Sequence, residues 1–211
     1  MAPALLIIAK APVPGRVKTR LTPPCNPEQA AALARAAIED TLAAALAVEN
    51  VTRRVLVLDG SPGPWLPSGF DVVPQRGDGL AERLACAFAD VGGPAFLVGM
   101  DTPQVTNALL EAGVDAVAGG DAAFGAALDG GYWGIGLPEA DARVFRGVPM
   151  SRDDTGTVQR DRLAALGLRT VTLPPLCDID TIADARAVAR CAPDSRLAAA
   201  LAAIVPESVA A

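Results

Sequence analysis

Short apolar runs alternate with amphipathic stretches along almost the whole chain, and this alternation restricts the fold more than any other feature. Residues 4–9 (ALLIIA) are continuously apolar, as a strand buried on both faces should be. Further strands are expected at 55–58, 70–73, 95–98, 114–118, 122–128, 132–137 and 168–173. Helical patterns lie between them. Asn26 is placed to cap a helix, with Pro27 in its first turn and Gln29 at the capping-box position. Ile38, Leu42 and Leu46, four apart, give that helix a buried face. Leu80, Leu84, Phe88 and Val91 form the stripe of a second helix, with Asp78 as a candidate cap. Helical stretches at 157–166 and 181–191 follow. This spacing predicts an α/β fold with a mostly parallel sheet covered by helices. The chain has 211 residues and shows neither internal repeat nor linker. Residues 1–211 are therefore expected to form one domain, ending in a helix and a loose tail from about 194 that Pro206 and Glu207 interrupt.

Several classes of function are excluded early. The net charge of −6 does not suit a general binder of nucleic acid or of a membrane surface. The chain has no histidine, which rules out a His-based triad and a zinc site built on His. Cys25, Cys86, Cys177 and Cys191 form no CxxC pair and read as scattered thiols in a reducing, cytoplasmic setting. The apolar start lacks a basic n-region, so it is not read as a signal peptide. No apolar run approaches the roughly 20 residues of a membrane span.

The loop after the first strand reverses the overall charge. Lys10, Arg16, Lys18 and Arg20 fall within KAPVPGRVKTRL, and no acidic residue precedes Glu28. Open α/β sheets place ligands at the carboxyl ends of their strands. Gly15 permits close backbone approach, and lysine and arginine suit phosphate as point charge and fork. The loop is neither a Walker A sequence nor a GxGxxG fingerprint. A solvated basic loop is the plain alternative.

Carboxylates follow other strands. Asp101 comes directly after AFLVG, where it would face the ligand crevice and could hold Mg²⁺ or Mn²⁺ beside a polyphosphate. It reads otherwise as a helix N-cap before Thr102 and Pro103. Asp178 and Asp180 flank one apolar residue and point the same way in extended chain. Either could complete a metal shell, and Asp180, Thr181 and Asp184 read equally as an ordinary helix start. Asp129 precedes two glycines in LDGGYWGIGL, which reads as a substrate approach, with Tyr132 and Trp133 stacking on a sugar or base, or as a tight hairpin. Arg83, in QRGDGLAERL, could reach a nucleotide or form a surface ion pair.

Taken in order, KAPVPGRVKTRL, QRGDGLAERL, VGMDTP, LDGGYWGIGL and DIDT resemble the motifs of the DUF2064, or radical-SAM/selenodomain-associated transferase, family over about residues 4–190. The family is similar to the GT-A fold, a Rossmann-like mixed, mostly parallel sheet flanked by helices. That fold is shared by nucleotide-sugar glycosyltransferases and nucleotidyltransferases. The resemblance implies phosphate and nucleotide binding by Lys10, Gly15, Arg16, Lys18, Arg20, Gln75 and Arg83. It implies a metal, Mg²⁺ or Mn²⁺, on Asp101 and Asp180, and an acceptor side lined by Asp129, Gly130, Gly131 and Tyr132. Arg16, Lys18 and Asp101 become the candidate catalytic residues. The chain departs from the pattern at Met150-Ser151-Arg152 and lacks the DxD of metal-dependent glycosyltransferases. The favoured expectation is nucleotidyl transfer from a nucleoside triphosphate to a small phosphorylated or hydroxyl acceptor, with pyrophosphate release. The alternatives are a nucleotide-sugar-dependent glycosyltransferase and a non-catalytic nucleotide-binding regulatory protein.

Overall fold

The computed structural model describes residues 2–205; the expected loose tail, with Pro206 and Glu207, lies outside them. Seven strands form one sheet in the order β3 (Asp71–Pro74), β2 (Arg53–Asp59), β1 (Ala4–Lys10), β4 (Ala95–Gly99), β6 (Tyr132–Leu137), β5 (Ala122–Ala127), β7 (Thr170–Leu176). β6 runs antiparallel to both of its neighbours, and the remaining pairings are parallel. The sheet is therefore mixed and mostly parallel, as expected.

Burial on both faces explains the continuous apolar runs. Leu5, Ile7, Leu56, Leu58, Phe96 and Val98 turn to one face, where they meet helices α1 (Pro27–Leu46) and α3 (Asn107–Ala118). Leu6, Val55, Val57, Leu97, Phe124 and Ile135 turn to the other, against α2 (Leu80–Val91) and α4 (Thr155–Ala165). With period-two alternation, a strand covered on both sides has no position left for a polar residue.

Helix α1 begins with the expected capping box: Asn26 accepts from the Gln29 backbone N–H, and the Gln29 side chain accepts from Asn26 N–H, each at 2.8 Å. Its buried face differs from the expectation. Ile38 and Leu42 are buried, but Leu46 is 38% exposed. Ala31, Ala34 and Ala45 complete the sheet-facing side. Ala30, Leu33 and Ala37 face outward onto a third core formed with α5 (Ile182–Cys191) and α6 (Arg196–Ile204). A helix sandwiched between two layers cannot be read as a single stripe. Asp40, 8% exposed, anchors the outer layer by accepting from the backbone N–H groups of Arg196 and Leu197 at 3.0 and 2.9 Å. The carboxylate thus caps the first turn of α6, where helix N–H groups lack intrahelical partners.

Two expectations fail. Residues 114–118 are not a strand but the last turns of α3, capped by Thr106. Leu110, Gly113, Val114 and Val117, three or four apart along one face, are buried, and Ala116 beside them is buried too. The valines suggested a strand, while the helical spacing begins upstream of them. Asp78 does not cap α2; its backbone N–H instead donates to Glu82, and Gly79 stands at the N-cap without a side-chain bond.

From β1 the chain moves outward to β2 and β3, then crosses back to place β4 on the other side of β1. The carboxyl ends of β1 and β4 therefore diverge, which opens the crevice of a doubly wound sheet.

Candidate active site

A cleft of about 890 Å³ lies over these strand ends. It brings together Lys10, Arg16, Lys18 and Arg20 from the loop after β1, Gln75 and Arg83 from the β3–α2 region, and Asp101 from the end of β4. Asp129, Gly131 and Tyr132 of the β5–β6 turn line it too, as do Asp178 and Asp180, whose segment lies against the basic loop. Gly15 and Gly130 are absent from its lining.

The four loop cations divide into two kinds. Among the described residues, Lys10 and Arg16 have no carboxylate within ion-pair distance. Lys18 is committed: its Nζ lies 2.7 Å from Asp101 Oδ1 and donates to the Ile179 carbonyl, and its side chain is only 7% exposed. Lys18 also adopts a left-handed backbone (φ 49°), unusual for a residue with a Cβ. The loop is therefore pinned to β4 and to the segment before α5. Arg20 pairs with Asp180 at 2.5 Å, largely in solvent.

Asp101 is not a helix cap, because α3 starts at Asn107 with Thr106 as its cap. Its Oδ1 is buried and, although close to Lys18, has no hydrogen bond of acceptable alignment, while the side chain as a whole is 41% exposed. Thr102 Oγ1, beside it in the cleft, is also buried without a partner. Among the described residues no three acidic or cysteine side chains are grouped to hold an ion, but Asp101 and the unpartnered Thr102 hydroxyl offer oxygen donors of the kind a hard divalent cation takes when phosphates and water complete its shell.

Asp178 is the carboxylate that the sequence weighed only in passing. Burial pushes its pKa up to about 6; the Asp129 and Asp180 carboxylates push the same way and Lys18 opposes them. Crowding of like charges in a half-dry cleft has this effect. Asp180 is the outer member of the pair, and Ile179 between them is buried. Asp184 is consumed by the capping box of α5, where Thr181 is the N-cap.

The acceptor side needs correction at several residues. A Cβ on Gly130 (φ +92°) would lie 1.9 Å from the Asp153 carbonyl oxygen. Gly156 N–H donates to the Gly130 carbonyl at 2.7 Å. The glycine thus permits close approach of the chain's own 153–156 segment, not of a substrate. Asp129 accepts from Gly131 N–H at 2.8 Å, as in a tight turn. The Tyr132 ring tilts against Phe124 and burial raises its phenol pKa. Trp133 is 3% exposed, packs edge-on against Phe96, and donates Nε1–H to the Pro174 carbonyl. Neither ring is an open stacking platform. Gln75 and Arg83 are also engaged: the Gln75 amide donates to the Ala9 and Val57 carbonyls, and Arg83 pairs with Asp59 at 3.2 Å and donates to Gln75 Oε1.

The segment PMSRDDT supplies residues that sequence reasoning left unassigned. Met150, Ser151, Arg152 and Asp153 line the cleft. Ser151 has φ +60°, and Thr155 ties the loop by donating to the Pro149 carbonyl and accepting from Arg152 N–H. The repeated charge in SRDD was the available signal.

The model of a family described as uncharacterized proteins conserved in bacteria (DUF2064) matches residues 30–152. The chain belongs to this family. No curated protein matches it. Among solved structures it is similar to a Desulfovibrio desulfuricans G20 protein provisionally named a nucleotide-diphospho-sugar transferase. That likeness has 27% identity and a TM-score of 0.84, over 95% of this chain and 94% of the other. It is also similar to CMP:2-keto-3-deoxy-manno-octonic acid synthetase complexed with CTP, at 15% identity and TM-score 0.58 over 91% and 99% of the two chains. A third likeness is to Rv0371c of Mycobacterium tuberculosis H37Rv in complex with manganese, at 18% identity and TM-score 0.51 over 88% and 97%. The expected fold and the expected class, an enzyme that transfers a group, agree with these neighbours. Among the described residues, no helix is long and apolar enough to cross a membrane.

Proposed function

We propose that this DUF2064 protein is a nucleotide-using transferase that moves a nucleotidyl group from a nucleoside triphosphate to a small acceptor, releasing pyrophosphate. The observation that carries this reading is the pair Lys10 and Arg16, cations without a carboxylate partner among the described residues, in the same cleft as Asp101. A triphosphate and its pyrophosphate leaving group carry more charge than a nucleoside diphosphate, so uncompensated cations favour the former. A neighbour of the same fold solved in complex with CTP supports a nucleotide as a ligand.

Asp101 would hold Mg²⁺ or Mn²⁺, with Asp180 as its companion, and the neighbour solved with manganese supports such an ion. When bound, the ion neutralises charge on the phosphate oxygens. The remaining work falls to the chain. Lys10 and Arg16 bind and orient the phosphates, and Arg16 neutralises the departing group. Asp178, with its proton affinity raised towards neutrality, takes the proton from an acceptor hydroxyl.

A second reading, glycosyl transfer from a nucleotide-sugar, is favoured by the name of the Desulfovibrio neighbour and by the carboxylates of Asp129, Asp153 and Asp178 facing the acceptor side. Product analysis separates the two. The protein is incubated with each NTP, and with a panel of nucleotide-sugars, in the presence of Mg²⁺ or Mn²⁺ and pooled small-molecule acceptors. Pyrophosphate released from an NTP is the expected result. Nucleoside diphosphate released from a nucleotide-sugar, with no pyrophosphate, replaces the first reading by the second. Tight binding without any product points to a regulatory nucleotide binder.

A further inference from the structure

The contact between Lys18 and Asp101 is the one place in the cleft where a fixed cation already sits on the carboxylate best placed for a metal. The ammonium is 2.7 Å from Oδ1, is held from behind by the Ile179 carbonyl, and is almost sealed from solvent. Asp180 also has a cationic partner, Arg20, but that pair lies largely in solvent. Without a nucleotide, then, two of the carboxylates facing the cleft carry their own counter-ions, while Lys10 and Arg16 have no carboxylate partner among the described residues.

We infer that Lys18 is a built-in counter-cation of Asp101 that keeps the site weak for a free divalent ion, so that the metal enters together with the phosphates of the nucleotide. The inference deepens the nucleotide-using reading and, in its second half, rests on it. A divalent ion on Asp101 would stand within a few ångströms of the Lys18 ammonium, and at that distance the repulsion of like charges in a partly dry cleft is large. Phosphate changes the balance. It gives the ammonium a stronger acceptor than the Asp101 carboxylate and brings negative charge to hold the ion. Lys10 and Arg16 are the first contact for the polyphosphate. The ammonium of Lys18 then turns from carboxylate to phosphate, on a loop that has a glycine at φ +74° three residues upstream with open space around it. Lys18 is a positioning residue in this scheme until the nucleotide is bound.

The test reads metal binding, not activity. Binding of Mn²⁺ is followed by water-proton relaxation enhancement in wild type, Lys18→Met and Lys18→Arg, without nucleotide and then with inorganic triphosphate or each NTP. Wild type and Lys18→Arg should bind Mn²⁺ alone weakly, and Lys18→Met, which keeps the length but loses the charge, should bind it roughly tenfold or more tightly. Triphosphate should raise Mn²⁺ affinity in wild type and do so less in Lys18→Met. Equal affinity of wild type and Lys18→Met for Mn²⁺ alone overturns the inference. If Lys18→Met does not fold, wild type decides: Mn²⁺ affinity unaffected by triphosphate overturns it, and a clear rise supports it. If Lys18→Met gains Mn²⁺ affinity while no NTP or triphosphate binds either protein, the counter-cation role stands and the nucleotide-using reading falls.

Discussion

At the scale of single residues, accessibility to a ligand matters more than charge. Lys18 and Arg16 look alike in the loop sequence, yet one spans two segments and the other has no carboxylate partner among the described residues. Lys18→Ala should therefore cost stability as well as ligand binding, whereas Arg16→Ala should leave the melting temperature within a degree or two. Turnover of Arg16→Ala should fall roughly 10²-fold, the usual scale for one charge-stabilising group. A melting temperature that drops sharply in Arg16→Ala would make that residue structural. Asp178 gives a second prediction, made on metal-free protein in chelator. Burial pushes its carboxyl up from the ordinary value of 3.8 to about 6, so the folded state holds the proton more tightly than the unfolded chain does. Its contribution to stability consequently falls as pH rises from about 4 to about 6. Asp178→Asn removes that penalty and should melt higher than wild type at pH 7, the gap closing on acidification below about pH 4, as thermal melts across that range would read. The basic loop and Asp101 were legible because strand ends and charge reversal are sequence patterns. The commitment of Lys18, Gln75 and Arg83 was not, because their partners lie up to 161 residues away and no local pattern encodes them.

At the scale of elements, the Gly130-Gly131 turn and the start of α4 behave as one unit. Gly130→Ala forces both a disfavoured φ and a clash with the Asp153 carbonyl. It should cost about 3 kcal/mol or more, measured by denaturant unfolding, and should loosen the 150–155 wall of the cleft. A loss below about 1 kcal/mol would mean that the 153–156 segment moves aside easily. Two helix starts were legible from local chemistry, since the boxes at Asn26 and Thr181 need only residues three positions apart, while the start of α2, which has no side-chain cap, was not. The identity of α3 was less so. Its last turns are rich in valine and follow Gly113, which is required because a Cβ there would lie 2.5 Å from the Phe96 ring. A packing demand from β4 thus put a helix-weakening residue inside a helix and disguised it.

At the scale of the whole molecule, three apolar clusters share elements: α1 packs inward on the sheet and outward on α5 and α6, and the sheet joins the other two clusters. We propose that the chain unfolds as one unit. Calorimetry should give a single transition with an enthalpy of about 150 kcal/mol, at about 0.7 kcal/mol per residue. Two resolved transitions would show that the outer helical layer melts separately. The grip of Asp40 on Arg196 and Leu197 bears on how such a molecule is made. The two ends of that contact are 156 positions apart in the chain. While the protein is being synthesised from its amino end, Asp40 and the outward face of α1 are produced early and have nothing to hold until the end of the chain follows. During that interval a greasy helix flank carries a lone carboxylate in its midst. A charge among apolar side chains opposes aggregation of a segment that is exposed for a time, and the same group then fastens α6 in place.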